Sequence, residues 1–210
     1  MAKTIAIGNQ KGGVGKSTLT TNLGAALCKE GERVLLVDMD PSGNLTAGLG
    51  YPKNIPLTVE SLMREIALEN PEPAYEKTIL HHEEGMDLLP ANKFLTGMEL
   101  WLQTMEDNKT VLRDVLARLQ DDYDYILIDC MPSLGMLTLN AFTAADEVLV
   151  PVQPQRFAVE GLQELLKTVE KVRRSSNSEL KVSGIIFSLD SKVRSNERLT
   201  IRSQVENDAF

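Results

Sequence analysis

The chain has 210 residues, of which 42% are hydrophobic and 25% charged, and its formal net charge at pH 7 is −8. That composition fits one soluble globular domain with a substantial core. It excludes a membrane-spanning helix, since no apolar run is long enough, and it argues against a dedicated nucleic-acid binder by bulk charge while leaving room for a local basic patch.

Met1-Ala2-Lys3-Thr4 leads straight into an apolar run, so no signal peptide is expected, and residues 3–8 read as the first strand. A glycine-rich stretch follows: Gly8-Asn9-Gln10-Lys11-Gly12-Gly13-Val14-Gly15-Lys16-Ser17-Thr18. Residues 17–30 form a helix with Leu19, Leu23 and Leu27 at four-residue spacing, and Gly31 stops it. Val34-Leu35-Leu36-Val37 within 33–38 suits a strand buried on both faces. Residues 58–67 read as a helix capped by Thr58, and Asn70-Pro71-Glu72-Pro73 marks a loop. His81 and His82 have no helical spacing that supports coordination and read as a surface turn. A short strand is expected over 86–90, then helices over 98–105 and 109–119. Trp101 falls in the first of these, in the core or at an interface. In the second, Val111, Leu112, Val115, Leu116 and Leu119 form one core-facing stripe. Strands over 125–129, 147–152 and 182–188 alternate with helices over 137–145, 159–173 and 196–205. Cys28 and Cys130 have no metal-ligand spacing and read as reduced thiols of a cytosolic protein.

Strands alternating with helices imply an α/β three-layer sandwich around a mostly parallel sheet, with right-handed crossovers and the site at the carboxyl ends of the strands. Three loops fall at such ends: residues 8–16, 38–44 and 129–135. In the first, glycines let several backbone N–H groups converge on one phosphate, and the helix that follows adds its own N-terminal N–H groups and dipole. Lys16 places a point charge on the β/γ-phosphates, and Ser17 offers a hydroxyl to Mg²⁺. The stretch matches the standard P-loop pattern only imperfectly in the placing of its first glycine, and a second lysine, Lys11, comes early in the loop. Asp38-Met39-Asp40-Pro41-Ser42-Gly43-Asn44 brings two carboxylates to a loop that approaches a cation-rich centre. Asp129, ending the apolar run Ile126-Leu127-Ile128, has the Walker B arrangement, in which a carboxylate holds Mg²⁺ directly or through water.

Lys11-Gly12-Gly13-Val14-Gly15-Lys16-Ser17 resembles the deviant Walker A sequence of the ParA/MinD P-loop family. The resemblance extends over nearly the whole chain to ParA/Soj-type partitioning ATPases, through residues 37–46, Leu89-Pro90-Ala91-Asn92, residues 123–129, Leu137-Thr138-Leu139-Asn140-Ala141 and Pro151-Val152-Gln153. Ser42 stands where the family often has Gln, and Met131 where it often has Pro; neither change removes a charged group. The resemblance implies a single ATPase domain over 1–210 that lacks the C-terminal part usual in the family. It implies an ATPase that uses ATP and Mg²⁺, weak alone and dependent on dimerisation. Lys11, Lys16 and Asp40 would be catalytic, Asp40 positioning the attacking water and Lys11 reaching the partner subunit's nucleotide. Lys11, Gly12, Gly13, Val14, Gly15, Lys16, Ser17 and Thr18 would bind the nucleotide, and Ser17, Asp40 and Asp129 the metal. Lys11 lies too early in the loop to repeat the role of Lys16 on one nucleotide. The implied partners are a second copy of the chain, a ParB-like protein and nonspecific DNA, with no membrane. The implied location is the cytoplasm, associated with the nucleoid.

Lys192, Arg194, Arg198 and Arg202 form a basic segment that suits either DNA phosphates or a solvated helix face. A MinD-like, membrane-associated positioning ATPase is the alternative function, but that group ends in a basic amphipathic helix, which is not visible here. An iron–sulfur reductase of the nitrogenase iron-protein type would need two cysteines placed to bridge a cluster, and Cys28 lies far along the sequence from such a position. A nucleotide-binding module without turnover is the remaining reading, which phosphate release would reject.

Overall fold

The computed structural model describes residues 1–106, 108–155, 157–188, 200–201 and 203–205. Seven strands form one sheet in the order β3-β4-β2-β5-β1-β6-β7. They are β1 (Lys3–Ile7), β2 (Val34–Met39), β3 (Leu80–His81), β4 (Asp87–Leu89), β5 (Tyr125–Cys130), β6 (Glu147–Val152) and β7 (Lys181–Phe187). The helices are α1 (Lys16–Lys29), α2 (Asn44–Gly48), α3 (Val59–Ala67), α4 (Tyr75–Thr78), α5 (Leu95–Leu102), α6 (Val111–Ala117), α7 (Met136–Ala144) and α8 (Ala158–Ser175). All strand pairs are parallel except β3–β4. Helices on both faces complete the three-layer α/β sandwich expected from the sequence.

The alternating side chains of the central strands build two cores. Leu35 and Val37 of β2 with Ile126 and Ile128 of β5 face the larger one, under α3 and α5–α8. Leu36 and Leu127 face the smaller one with Ile7, where Leu19, Leu23 and Leu27 of α1 pack. Every residue of β2 is buried, which explains its unbroken apolar run. Gly24 lets α1 lie close on this face. A Cβ there would come within 2.8 Å of Leu36 Cδ2 and 2.9 Å of Met86 Sδ.

Register places the site. Ile7 and Asp38 both pair with Asp129, so the loops after β1, β2 and β5 leave the sheet at one level. The strand order reverses beside β1: α1 carries the chain to β2 on one side, and α7 carries it to β6 on the other. A crevice at such a reversal is where open α/β sheets bind ligands.

Several elements differ from expectation. The helix expected over 98–105 is α5, starting at Leu95, because Asn92 Oδ1 accepts the Phe94 N–H at 2.9 Å and turns the chain into the helix early. Short α2, α4 and β3 carry too few residues for a readable period. His81 lies on edge strand β3, with Nδ1 2.5 Å from Asp87 Oδ1, and the turn itself runs from His82 to Gly85. Trp101 is half-buried, with the Arg64 guanidinium 5.3 Å from its ring centre. Of the helix expected over 196–205, only residues 200–201 and 203–205 are described, and they are helical. Lys192, Arg194, Arg198 and Arg202 lie outside the described residues. No helix among the described residues is long and apolar enough to cross a membrane.

Candidate active site

The loop after β1 is fixed from three sides. Asn9 is buried; its Nδ2 donates to the Pro151 carbonyl at 2.7 Å, and its Oδ1 accepts the Lys11 N–H at 2.9 Å. At the far end Ser188 Oγ donates to the Val14 carbonyl at 2.6 Å, while the Ser188 N–H binds the Val152 carbonyl. Gly13 and Gly15 have φ of 72° and 86°. That left-handed backbone favours glycine, so the spacing of these residues is a conformational requirement. Gly15 caps α1, and its carbonyl accepts the Leu19 N–H. Gly12 and Gly13 are exposed, Val14 is buried beneath the loop, and Thr18 faces solvent.

Lys16 is buried, and its Nζ donates to the Lys11 carbonyl at 3.3 Å, across the mouth of the loop. Burial pushes its pKa below the ordinary lysine value, while Asp129, Cys130 and Asp40 pull it back up. Lys11 rests differently. Its Nζ donates to Gln155 Oε1 of the same chain at 3.0 Å, on the exposed connection after β6.

The two aspartates after β2 do different things. Asp38 is fully buried, and both of its oxygens are used: Oδ2 accepts the Thr46 N–H and Oγ–H, at 2.9 and 2.7 Å, and Oδ1 accepts the Asp40 N–H at 3.1 Å. Thr46 Oγ1 in turn accepts the Ala91 N–H, so the loop is tied to the end of β4. Desolvation pushes the Asp38 pKa up to about 6 against those hydrogen bonds. Asp40 is only partly buried; its Oδ1 accepts the Ser42 N–H at 2.8 Å, which leaves its other oxygen outside the loop's own bonding. Lys53 braces the outer edge, donating to the Ser42 carbonyl at 2.7 Å and to Asn44 Oδ1 at 3.1 Å.

Asp129 is 1% exposed, and neither carboxylate oxygen has a hydrogen-bond partner. Desolvation pushes its pKa up to about 7; the neighbouring Ser17 hydroxyl and Lys16 ammonium oppose the rise, and Asp38 and Asp40 add to it. A buried carboxylate without a partner is costly unless a cation or donor completes it. The set of one hydroxyl, one orphaned carboxylate and the nearby Asp40 fits a hard divalent cation of the Mg²⁺ kind, which takes oxygen ligands and keeps several waters. Among the described residues no group of three or more His, Cys, Asp or Glu side chains could hold a metal ion. A cation beside Asp129 therefore needs oxygens from phosphate and water as well. Cys130 is buried in the larger core with its thiol pKa raised by desolvation, and Cys28 packs against the smaller core, near Gly85.

The structure thus brings Lys11, residues 12–17, Asp40 and Asp129 to one crevice. Asn9, Asp38, Lys53 and Ser188 escaped the sequence reading as supports of that crevice. Asp38 alone carried a signal, its place at a strand end; the others act across 142 or more residues, as Asn9 and Ser188 do, or from an unpatterned loop.

A family model described as an AAA domain matches residues 2–182. The chain is 44% identical over 191 residues to the sporulation initiation inhibitor protein Soj of Bacillus subtilis, a match spanning 90% of this chain and 73% of that protein. It is 45% identical over 192 residues to the chromosome partitioning protein ParA of Myxococcus xanthus, spanning 90% and 65%. Among solved structures, a cobyrinic acid a,c-diamide synthase from Mycobacterium smegmatis with bound ADP and magnesium superposes with a TM-score of 0.90 at 39% identity, covering 99% of this chain and 82% of that one.

Proposed function

The chain belongs to the ParA/Soj family of P-loop ATPases, and on that footing we propose that it is an ATP-driven partitioning switch. It binds ATP with Mg²⁺, closes as a homodimer on nonspecific DNA at the nucleoid, and turns over when a ParB-like protein stimulates it. One observation carries the reading: the orphaned Asp129 carboxylate lies buried beside Ser17 and Lys16 at the head of a glycine loop. A metal-bearing anionic ligand would satisfy all three groups at once.

Each residue then has a task. The N–H groups of residues 12–16 cradle the phosphates. Lys16 leaves the Lys11 carbonyl for the β- and γ-phosphate oxygens. Ser17, Asp129 and Asp40 would hold Mg²⁺, which would supply positive charge to offset that of the phosphates. Asp40 orients the attacking water with its outer oxygen, held in place by the Ser42 N–H. Lys11 leaves Gln155 and reaches the nucleotide of the second subunit, so turnover depends on two copies. Positioning and charge stabilisation suffice for phosphoryl transfer. Lys192, Arg194, Arg198 and Arg202 remain the candidate contacts to DNA phosphates.

Two variants test the core of this reading. Lys16→Ala is expected to abolish ATP binding by calorimetry. Asp40→Ala is expected to bind ATP normally but to release phosphate at least ~100-fold more slowly. Wild-type binding in the first, or wild-type turnover in the second, removes that residue from its role. The Mycobacterium smegmatis relative is named as a diamide synthase. Incubation with ATP, cobyrinic acid and an amine donor, read by mass spectrometry, separates the two chemistries; an amidated product would displace the switch.

A further inference from the structure

The loop that carries Asp40 is held on its outer side by a lysine that the phosphate chemistry leaves unused. Lys53 is exposed, yet its ammonium has two fixed acceptors, the Ser42 carbonyl at 2.7 Å and Asn44 Oδ1 at 3.1 Å. Neither is a carboxylate, so charge pairing does not account for the contact. Holding a flexible side chain this way costs rotamer freedom, and what it secures is the backbone of one turn. The segment that carries Lys53 is itself pinned. The Tyr51 N–H donates to the Thr46 carbonyl at 3.2 Å, and the Tyr51 hydroxyl to the His81 carbonyl at 2.6 Å. Two residues beyond the lysine, the Ile55 carbonyl accepts from Asn92 Nδ2 at 2.8 Å. Lys53 therefore projects from a fixed base. Its stem passes over Gly43, with Cγ 3.8 Å from where a Cβ would stand.

The turn from Asp40 to Gly43 shows what the brace does. Asp40 Oδ1 accepts the Ser42 N–H at 2.8 Å, which aims the carboxylate. The next peptide is held at both ends: the Gly43 N–H donates to the Asp40 carbonyl at 2.9 Å, and the Ser42 carbonyl accepts from Lys53. Gly43 has φ of 60°, and a glycine lets the peptide before it rotate with little steric resistance. Without the ammonium, the Ser42 carbonyl is left to water. The peptide can then turn, and the Ser42 N–H that aims Asp40 turns with it.

We propose that Lys53 is a positioning residue for ATP hydrolysis, holding the Asp40 carboxylate, through Ser42, at the angle that orients the attacking water. The inference rests on the reading that Asp40 orients that water, and it adds the residue that fixes its aim. Lys53 acts on the loop and not on the nucleotide.

The test measures phosphate release by the full chain with saturating ATP and Mg²⁺, beside ATP affinity by calorimetry and thermal melts. Lys53→Met keeps the stem and removes the donor. It is expected to lower kcat about 10-fold, since a small misplacement of a positioned group costs up to about 100-fold. KM, ATP affinity and the melting midpoint should stay near those of the wild type. The decisive comparison is in the Asp40→Ala background. There Lys53→Met should change the remaining turnover by less than ~2-fold, because the group it positions is gone. A Lys53→Met protein with wild-type kcat overturns the proposal. So does an equal slowing in both backgrounds, since Lys53 would then act apart from Asp40. So does a melting midpoint well below the wild type, since Lys53 would then hold the fold at large. Wild-type turnover in Asp40→Ala overturns the reading of Asp40 itself, and the positioning role with it. A slow Asp40→Ala beside an unaffected Lys53→Met removes Lys53 alone.

Discussion

Asp129 and Asp38 are both buried carboxylates at strand ends, and their bonding separates them. Asp38 spends its oxygens on Thr46 and on the Asp40 backbone, so its work is to shape the loop. Asp129 spends neither oxygen on the fold in this way, and burial raises its pKa to about 7 against the nearby Ser17 hydroxyl and Lys16 ammonium, so its charged form is disfavoured until a cation arrives. Asp129→Asn should therefore leave the nucleotide-free protein as stable as the wild type or more so, while removing the rise in melting midpoint that Mg²⁺ adds in the presence of ATP. Thermal melts with and without Mg²⁺ check both halves. A variant that keeps the full Mg²⁺-dependent rise would show that the carboxylate does not hold the metal.

At the scale of elements, the site depends on how closely α1 lies on the sheet, since α1 begins at Lys16 and carries the loop's phosphate-facing end. Gly24 sets that distance, because its Cα hydrogen faces Leu36 and Met86 where a methyl group would clash. Gly24→Ala gains helix propensity of about 1 kcal/mol but overpacks a core that is already filled. Such overpacking costs roughly 1–3 kcal/mol. The net expectation is a loss of stability of up to about 2 kcal/mol, measured by urea unfolding, with weaker nucleotide binding as α1 shifts outward. A variant more stable than the wild type would mean that Leu36 and Met86 yield freely and that helix position is not set here.

For the molecule as a whole, the decisive residue is Lys11. In this chain its ammonium rests on Gln155 and not on the loop that Lys16 serves. A lysine parked outside the phosphate cradle contributes little to binding one nucleotide and can move when a second copy arrives. Lys11→Ala is expected to bind ATP as a monomer with affinity within a few-fold of wild type, yet to lose ATP-dependent dimerisation and turnover. Light scattering with a non-hydrolysable analogue, beside phosphate release, gives the answer. Wild-type dimerisation and turnover in that variant would leave an ordinary P-loop protein with no action across an interface.

The sequence by itself determined the layer architecture and the identity of the phosphate loop, because both rest on short-range signals. Apolar runs of strand length alternate with helical periods, and the glycines at 13 and 15 must take left-handed backbone within a few residues of Lys16. It also placed Asp40 and Asp129 at strand ends, since an acid that terminates a buried run is legible locally. Only the tertiary structure decided how these groups are used. Strand order brings β1, β2 and β5 side by side, and that order depends on crossovers spanning tens of residues. The division of labour between Asp38 and Asp40 rests on Thr46 and Ser42 folding back on them, which no period records. The supports of the P-loop, Asn9 on Pro151 and Ser188 on Val14, join residues 142 and 174 positions apart.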